Sequence, residues 1–320
     1  MGKTAVILLN LGGPDSLEAV EPFLYNLFRD PDIFKIPVGQ NLFAKVNSRT
    51  RAPKVIKEYE LIGGKSPIGM WTEKQRSMLE KKLQEYSSSI DVITAMRYWH
   101  PLISDVAAKL SGSDYEKILL LPLYPHYSIS TTGSSFNEFL RFYKGDKSKL
   151  IYVNDYYTQH KYIRALNERI DESLKEFSPE DRKKVHLVFS AHGTPVSLVK
   201  QGDPYSVHIK KTVEAVMRDR AYSHPYHQCY QSKVGPVKWL EPSTADMIKR
   251  LAEQNERHLL VIPISFVSDH VETSFELDIE YRHVADEAGI EKYIVMKGLN
   301  DSHTFVEALC ELAVSKLGLQ

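Results

Sequence analysis

Two short segments place ionisable side chains directly after apolar runs. In SAHGTP, His192 follows the run 185–191, and in SDHVET, His270 and Glu272 follow the run 258–266. Because each apolar run reads as a buried strand, these side chains are expected at strand ends, facing a crevice. Histidine can accept a proton near neutral pH or ligate a metal as neutral imidazole, and a carboxylate can accept a second proton. A lone histidine is more often a core residue hydrogen-bonded to backbone, so His192 alone does not decide between these roles.

Three glutamates recur at every fourth residue in the second segment. At helical spacing Glu272, Glu276 and Glu280 share one stripe, where like charges repel. A solvated helix face is the usual explanation for such a row. The alternative is a ladder of carboxylates that passes divalent cations or protons toward a buried reaction centre. Asp269, just before the row, has a simpler explanation, because a carboxylate there can cap the helix and interact favourably with its dipole.

Composition and charge narrow the class of protein. The 320 residues are 42% hydrophobic and 26% charged, which is typical of a soluble globular protein, and the length favours two domains. Lys plus Arg and Asp plus Glu both number 41, so no basic surface for nucleic acid is expected. The cysteines are Cys229 and Cys310, which excludes a disulfide framework and a cluster held by four of the chain's own thiolates.

The first residues and the hydropathy predict where the protein works. MGKTAVILLNLGGP reads as a buried strand that runs into a turn, and its apolar run is too short and wrongly flanked for a signal peptide. No stretch approaches the ~18 consecutive apolar residues of a membrane span. We therefore expect a soluble protein of the reduced cytoplasm.

Short apolar runs alternate with longer segments of helical periodicity. This alternation predicts an α/β fold with parallel sheets, because runs buried on both faces are typical of parallel strands. The predicted strands are 5–11, 91–96, 117–124, 185–191 and 258–266, and the predicted helices include 71–86, 161–177, 205–220 and 243–254.

The sequence also contains a faint internal repeat. LLNLGGP (8–14) aligns with VFSAHGTP (188–195), and ILLLPLYPHYS (118–128) aligns with LLVIPISFVSD (259–269). Each half thus opens with a strand that ends at a glycine followed by a proline, and each later contains an apolar strand interrupted by proline. The repeat predicts two similar Rossmann-like domains.

The differences between the two halves point to the second as the place of chemistry. Leu11 of the first half aligns with His192 of the second, and Thr131 aligns with Glu272. In open α/β sheets ligands bind at the carboxyl ends of the strands, where these residues are expected. Only the second half carries ionisable groups there. The predicted domains are residues 1–155, with a helix at 301–320 expected to pack on them, and residues 156–300.

An apolar segment near the start has two interpretations. VEPFLYNLFRDPDIFKIP (20–37) is rich in Phe, Leu and Ile. An amphipathic core helix would account for these residues. The functional alternative is a mobile apolar lip that covers a flat substrate or makes peripheral contact with a membrane surface.

Together these segments resemble the ferrochelatase family, enzymes that insert ferrous iron into a porphyrin to make haem. The matching pieces occur in order across nearly the whole chain, which makes the resemblance specific. It implies a lyase with two similar α/β domains and the porphyrin in the cleft between them. The pieces are LNLGGP, GGKSPI (63–68), MRYWHP (96–101), LPLYPHYSISTTGSS (121–135), SAHGTP, YQSKVGPVKWLEP (230–242) and SFVSDHVETSFELDIEY (265–281).

The resemblance assigns roles to particular residues. It implies that His192 and Glu272 are the catalytic pair at the porphyrin face, and that both of them, with Glu276, contact the metal. The supporting polar network would be Asp269, His270 and Glu280. The porphyrin-binding positions would be Leu11, Arg51, Tyr59, Ser66, Arg97 and Trp239.

Two positions refine the expected substrate and cofactor. Leu11 occupies a position that is Tyr in the coproporphyrin-using branch of the family, so the resemblance implies protoporphyrin IX and Fe²⁺ as substrates. Some members hold an iron–sulfur cluster through one cysteine at the position of Ile129 and others in a C-terminal extension, whereas this sequence ends at LGLQ. We therefore expect no [2Fe–2S] cluster.

Three alternative functions are weighed against this one. A chelatase of the same architecture would act on another tetrapyrrole or another metal, such as cobalt. A porphyrin or haem carrier would need the apolar cleft but no base beside a row of carboxylates. A nucleotide-dependent enzyme is disfavoured, since Gly12 and Gly13 match neither GxGxxG nor GxxxxGK[ST].

Overall fold

The computed structural model describes residues 2–233 and 237–319, and the chain divides into two compact units. Unit 1 comprises Met1–Tyr156 and Asp301–Gln320, and unit 2 comprises Tyr157–Asn300. Each unit contains one four-stranded parallel sheet with helices beside it. The predicted α/β class with parallel sheets is therefore confirmed.

Unit 1 is an open parallel sheet flanked by helices. Its strands are β1 (Thr4–Asn10), β2 (Ile90–Met96), β3 (Lys117–Pro122) and β4 (Leu150–Tyr152), in the order β2-β1-β3-β4. Its helices are α1 (Val20–Phe28), α2 (Gln40–Leu61), α3 (Ile68–Gln84), α4 (Ile103–Leu110), α5 (Ser134–Phe142) and the C-terminal helix (His303–Leu317). A π-helix (Ile129–Gly133) leads into α5, and a 3-10 turn (Lys147–Lys149) precedes β4.

Unit 2 repeats this arrangement. Its strands are β5 (His186–His192), β6 (Tyr226–Gln231), β7 (His258–Pro263) and β8 (Lys292–Val295), in the order β6-β5-β7-β8. Its helices are α6 (His160–Leu174), α7 (Val196–Lys200), α8 (Tyr205–Asp219), α9 (Thr244–Glu253) and α10 (Tyr281–Glu287). A 3-10 turn (Asp181–Lys184) precedes β5, and a π-helix (Glu272–Glu280) leads into α10.

The central strands hold the two cores. β1 is buried along its whole length, and β5 is buried up to its last residue. Burying one large aliphatic side chain contributes roughly 1.5–3 kcal/mol relative to leaving it in water, so these strands contribute much of the burial that stabilises each sheet. In unit 1, Ile7 and Leu9 of β1 pack in one cluster with Phe139 of α5. Helices on the sheet faces thus fix the strand ends from which the candidate site projects.

In each sheet, the inner strand next to the central strand ends at a proline: β3 beside β1, and β7 beside β5. Leu9 of β1 pairs with Pro122 of β3, and Ser190 of β5 pairs with Pro263 of β7. Proline lacks the N–H that the ladder needs, so these strands end two or three residues before the predicted ends at 124 and 266. The two units therefore share strand order, register and a following π-helix, which is the structural form of the sequence repeat.

The edge strands β4 and β8 were not predicted from the sequence, whereas the edge strand β2 was. β4 has three residues and β8 has four, which is too short for a recognisable apolar run. The long helix α2 was also missed, because its sequence is polar and basic and its interior contains Pro53.

The apolar segment 20–37 forms a core helix over its first half. In α1, Phe23 and Phe28 are buried, and the Phe28 ring lies 5.3 Å from the ring of Phe34. Of the two interpretations of this segment, the amphipathic core helix therefore describes α1. The exposed large apolar side chains of this region are Val38, Leu42 and Val46, the last two on α2. Among the described residues, no helix is long and apolar enough to cross a membrane.

Candidate active site at the carboxyl end of the second sheet

His192 is the last residue of β5 and stands where the chain leaves the sheet. The residues before it are buried, whereas 38% of its own side chain is exposed. The next residue has to be glycine, because a Cβ on Gly193 would lie 2.6 Å from the carbonyl oxygen of Gln231. Gly193 also donates its N–H to that carbonyl at 2.8 Å. This close approach of two backbones turns the imidazole out of the core.

The row of glutamates lies on a π-helix, not on the α-helix that the four-residue spacing suggested. The π-helix Glu272–Glu280 has nine residues, and π-helices are rare and frequently found at functional sites. Glu272 and Glu276 are partly buried, whereas Glu280 is exposed. The three carboxylates therefore lead from solvent toward the sheet edge.

His192 and Glu272 form a direct contact. The imidazole Nδ1 lies 2.8 Å from Glu272 Oε2. Burial lowers the pKa of His192, but the charge and hydrogen bond of Glu272 more than offset this effect, so the pKa lies above its ordinary value of 6.5. Burial likewise raises the pKa of Glu272, but the charge and hydrogen bond of His192 hold it well below its usual range. Glu272 thus stabilises the imidazolium that forms when His192 takes up a proton.

Glu276 is held in a different environment from Glu272. It accepts hydrogen bonds from the Ser232 N–H at 2.7 Å, from the Tyr281 hydroxyl at 3.0 Å and from the Gln231 side chain at 3.2 Å. Burial and then the negative charge of Glu272 raise the pKa of Glu276. Two neighbouring carboxyl groups with pKa values pushed apart suit different tasks, one staying ionised and the other taking up a proton.

His270 and Asp269 surround this pair. The His270 Nδ1 lies 3.2 Å from the carbonyl oxygen of Ser268, and its Nε2 lies 3.9 Å from Glu272 Oε2. Burial lowers the pKa of His270, which favours the neutral imidazole. Asp269 accepts hydrogen bonds from the Gly298 N–H at 2.9 Å and from the Asn300 side chain at 2.6 Å. Asp269 therefore links the loop after β8 to the start of the π-helix through hydrogen bonds.

The predicted porphyrin-binding residues of unit 1 fall into two places. Leu11 follows β1 and is half-buried, and the Ser66 N–H donates to the carbonyl of Pro14 in the same turn. Arg51 and Tyr59 lie on α2, where Arg51 is exposed and lies over the Phe28 ring, and Tyr59 is buried.

Arg97 follows β2 and lies beside Leu11, since its N–H donates to the Asn10 carbonyl at 2.8 Å, and its side chain is in a buried ion pair. Its Nη2 lies 3.0 Å from Asp30 Oδ1, and its Nε donates to Ser134 Oγ at 2.8 Å. The Tyr98 hydroxyl donates to the same Asp30 carboxylate at 2.6 Å. Removing one partner of a buried pair is costly, so Arg97 fixes the turn after α1 to the end of β2 whatever else it contacts.

Trp239 lies in unit 2, in the second half of the YQSKVGPVKWLEP motif. It forms a β-bridge with Pro195, and its ring atom Cε3 would lie 3.4 Å from a Cβ on Gly193. Residues 234–236 of this motif lie outside the described residues. Within the described ranges, no group of three His, Cys, Asp or Glu side chains is arranged to hold a metal ion.

Several polar residues of the site were not singled out from the sequence. Ser232 has a φ of +64°, unusual for a residue other than glycine, and this conformation directs both its N–H and its hydroxyl to Glu276. Tyr281 and Asn300 complete the contacts of Glu276 and Asp269. Ser232 and Tyr281 stand inside motifs that the family resemblance had marked, which was the one available signal. Asn300 had none.

Solved structures of chelatases share the α/β fold of this chain. The sirohydrochlorin chelatase SirB from Bacillus subtilis subspecies spizizenii, solved in complex with cobalt, matches with a TM-score of 0.52 over 99% of this chain and 96% of its own, at 9% identity. At this identity the likeness concerns the fold alone. The two sheets and the ionisable groups at one sheet edge thus define a chelatase-like α/β protein.

The sequence comparisons identify the family within this class. The family described as Ferrochelatase matches residues 3–317. A ferrochelatase from Geotalea daltonii is 47% identical over 99% of this chain and 98% of its own length, and one from Aquifex aeolicus is 45% identical over 98% and 100%. The chain therefore belongs to the ferrochelatase family, enzymes that insert ferrous iron into a porphyrin in haem biosynthesis.

Proposed function

We propose that this protein is a lyase that inserts Fe²⁺ into protoporphyrin IX and releases two protons to give protohaem. The observation that carries the proposal is the 2.8 Å contact between His192 Nδ1 and Glu272 Oε2 at the end of β5. Metallation must remove two N–H protons from the macrocycle, so a base is needed at the face where the metal enters. A histidine oriented by a carboxylate provides such a base near neutral pH.

His192 is the proton acceptor in this mechanism. Its Nδ1 faces Glu272, so Nε2 is the nitrogen available to a porphyrin N–H. Glu272 stabilises the imidazolium that forms, because its own pKa lies well below the usual range. The second proton goes to a carboxyl group of the row, for which Glu276 is suited by its raised pKa. Binding contacts remote from the ring nitrogens would supply the energy that distorts the macrocycle.

The carboxylate row delivers the metal. Glu280 is exposed and Glu276 is partly buried, so an ion can pass from solvent toward Glu272 and His192. Oxygen ligands hold Fe²⁺ weakly enough to release it, whereas thiolates would retain it. This ladder answers why like charges recur on one face of the π-helix.

Replacement Glu276→Gln tests the ladder. We expect the KM for Fe²⁺ to rise about tenfold, ~1.4 kcal/mol, because one carboxylate charge on the metal path is lost while the porphyrin contacts remain. The measurement is the anaerobic rate of protoporphyrin metallation at varied Fe²⁺. Asp278→Asn is the matched control, since Asp278 lies on the same π-helix but pairs with Arg282. An unchanged iron dependence in Glu276→Gln would remove the main support for the ladder.

The porphyrin contacts are proposed from the family resemblance. Arg51 suits a propionate through charge-assisted hydrogen bonds, and it is exposed and available. The other proposed contacts are Leu11, Tyr59, Ser66, Arg97 and Trp239. Tyr59 and Arg97 are buried in the folded chain, so their contribution would come through the shape of the pocket wall and not through an exposed polar group.

Leu11 is proposed to set the choice of porphyrin. An apolar side chain after β1 favours the vinyl-bearing protoporphyrin IX over the more acidic coproporphyrin. We expect kcat/KM for protoporphyrin IX to exceed that for coproporphyrin by about tenfold or more, and Leu11→Tyr to narrow the ratio. An anaerobic absorbance assay with each porphyrin and Fe²⁺ measures both values. Tight porphyrin binding without metallation would favour a carrier, and turnover of a different tetrapyrrole alone would favour another chelatase.

The cysteine content bears on whether the protein holds an iron–sulfur cluster. Burial raises the pKa of Cys229 to about 12, so this thiol is a poor cluster ligand, and Ile129 occupies the family's cysteine position. We therefore propose an enzyme of the reducing cytoplasm without a [2Fe–2S] cluster.

Peripheral membrane contact, first assigned to residues 20–37, is better supported on α2, where exposed Leu42 and Val46 stand among lysines and arginines.

A further inference from the structure

The backbone of His192 lies beyond the regular hydrogen bonding between β5 and β7. The ladder stops at the pair Ser190 and Pro263, and the Ile264 N–H then donates to the Ser190 carbonyl at 3.0 Å. The next N–H on this side of β5 belongs to His192. It donates at 2.9 Å to the Ser265 hydroxyl, so a side chain replaces the strand partner at this point.

The carbonyl of His192 is held from another element. Tyr205, the first residue of α8, donates its hydroxyl to the His192 carbonyl oxygen at 3.0 Å. Tyr205 is itself fixed, because its N–H donates to Asp203 Oδ1 at 2.9 Å and its residue is buried. Burial raises the pKa of the Tyr205 phenol, and a hydrogen bond with the Ser265 hydroxyl opposes that rise. The two hydroxyls therefore contact each other as well as the two polar backbone groups of His192.

Unit 1 offers an internal comparison. There the Leu123 N–H donates to the Leu9 carbonyl at 2.8 Å, which is the counterpart of the Ile264 to Ser190 bond. The following N–H belongs to Leu11, the counterpart of His192, and it donates to the side chain of its own neighbour Asn10 at 2.8 Å. The hydroxyls of Ser265 and Tyr205, here called the hydroxyl clamp, thus hold the backbone in the half of the chain that carries the histidine.

We propose that Ser265 and Tyr205 are positioning residues for metal insertion. They fix the N–H and C=O of His192, and this fixes the direction of its Cα–Cβ bond, so the imidazole meets Glu272 with Nδ1 and leaves Nε2 for the porphyrin. The inference rests on the proposed role of His192 as proton acceptor. A shift of about 1 Å at such a group can cost roughly 10²-fold in rate, so a clamp of this kind has a kinetic function.

The ring and the backbone of His192 are held by different residues. Glu272 contacts the imidazole from the π-helix at 2.8 Å, and the Phe266 ring lies edge-on to it at 6.2 Å. The N–H and the carbonyl of His192 are held by the hydroxyls of Ser265 and Tyr205. Removing either hydroxyl therefore leaves the partners of the ring in place and loosens the backbone that directs it.

The test replaces each hydroxyl in turn, as Ser265→Ala and Tyr205→Phe. We expect kcat/KM for metallation to fall about tenfold in each. We also expect the imidazole to move away from Glu272, so that the 2.8 Å contact between Nδ1 and Oε2 lengthens or the ring takes a second orientation. Crystal structures of the variants measure this on the protein alone, and Ser265→Thr, which keeps the hydroxyl, should restore both the rate and the contact.

Tyr162→Phe is the matched control. Tyr162 is buried and donates its hydroxyl to the carbonyl of Ile264 at 3.3 Å, one residue from Ser265. This variant removes the same group from the same region without touching His192, so it should lower stability and leave the imidazole of His192 in its wild-type contact with Glu272.

The outcomes separate this inference from the proposed function. A displaced imidazole of His192 in Ser265→Ala and Tyr205→Phe, absent in Tyr162→Phe, supports the positioning role. An imidazole that keeps its wild-type contact with Glu272 in both variants overturns it, whatever their rates. Failure of the wild-type protein to metallate porphyrin would count against the proposed function, and the crystal structures would still decide whether the two hydroxyls orient the histidine.

Discussion

Replacement of His192 by alanine is expected to lower kcat for iron insertion by roughly 10²–10⁴-fold, the range that one general base contributes. The imidazole stands at the open end of β5 with its Nδ1 on Glu272, so its loss removes the proposed proton acceptor and leaves the apolar contacts of the macrocycle in place. Porphyrin binding should therefore persist. Anaerobic stopped-flow absorbance with protoporphyrin IX and Fe²⁺ gives the rate, and quenching of porphyrin fluorescence gives the binding constant.

The control for this variant is His283→Ala. His283 is an exposed residue of α10 in the same unit, so its removal tests for a general effect of losing a histidine. Equal rates for His192→Ala and the wild type would exclude His192 as the base. Loss of porphyrin binding together with the rate would instead mean that the imidazole contributes to the pocket, and the mechanism would need another proton acceptor.

The meeting of His192 and Glu272 was predictable in outline from the sequence. Both follow apolar strands, and the carboxyl ends of parallel strands lie on one edge of a sheet. β5 and β7 prove to be neighbours, which brings the residues after them within hydrogen-bonding distance. The alignment of Leu11 with His192 also predicted that one half would be inert. Strand ends were less accurate, because the effect of Pro122 and Pro263 on the ladder was not used.

The polar partners of the site could not be predicted in the same way. Four-residue spacing is equally compatible with an α-helix and with a π-helix, and the choice depends on the contacts of the segment with the sheet. Ser232 reaches Glu276 only through a backbone conformation with positive φ, which a serine does not signal. The Arg97–Asp30 pair joins segments far apart in the chain, and its burial is visible only in the fold.

Replacement of Glu272 by glutamine should lower kcat/KM roughly 10²-fold and move the pH dependence as well. In the wild type the charge and hydrogen bond of Glu272 hold the pKa of His192 above 6.5, against burial, which lowers it. Without the charge, burial dominates and the pKa falls below 6.5. The base form of His192 then persists to lower pH, so the acidic limb of kcat/KM against pH should shift downward although the rate at its plateau is lower.

The direction of that shift distinguishes the loss of the Glu272 charge beside His192 from a loss of folded protein. A destabilised variant would lose activity by the same factor at every pH at which the wild type is folded, whereas removal of the carboxylate changes the titration of the free enzyme, which kcat/KM reports. Glu287→Gln, an exposed position on α10, removes the same charge away from His192 and should leave the limb in place. An upward shift in Glu272→Gln would mean that a group other than His192 titrates in the reaction. Glu276 would not account for an upward shift, because its raised pKa would fall once the negative charge of Glu272 is gone.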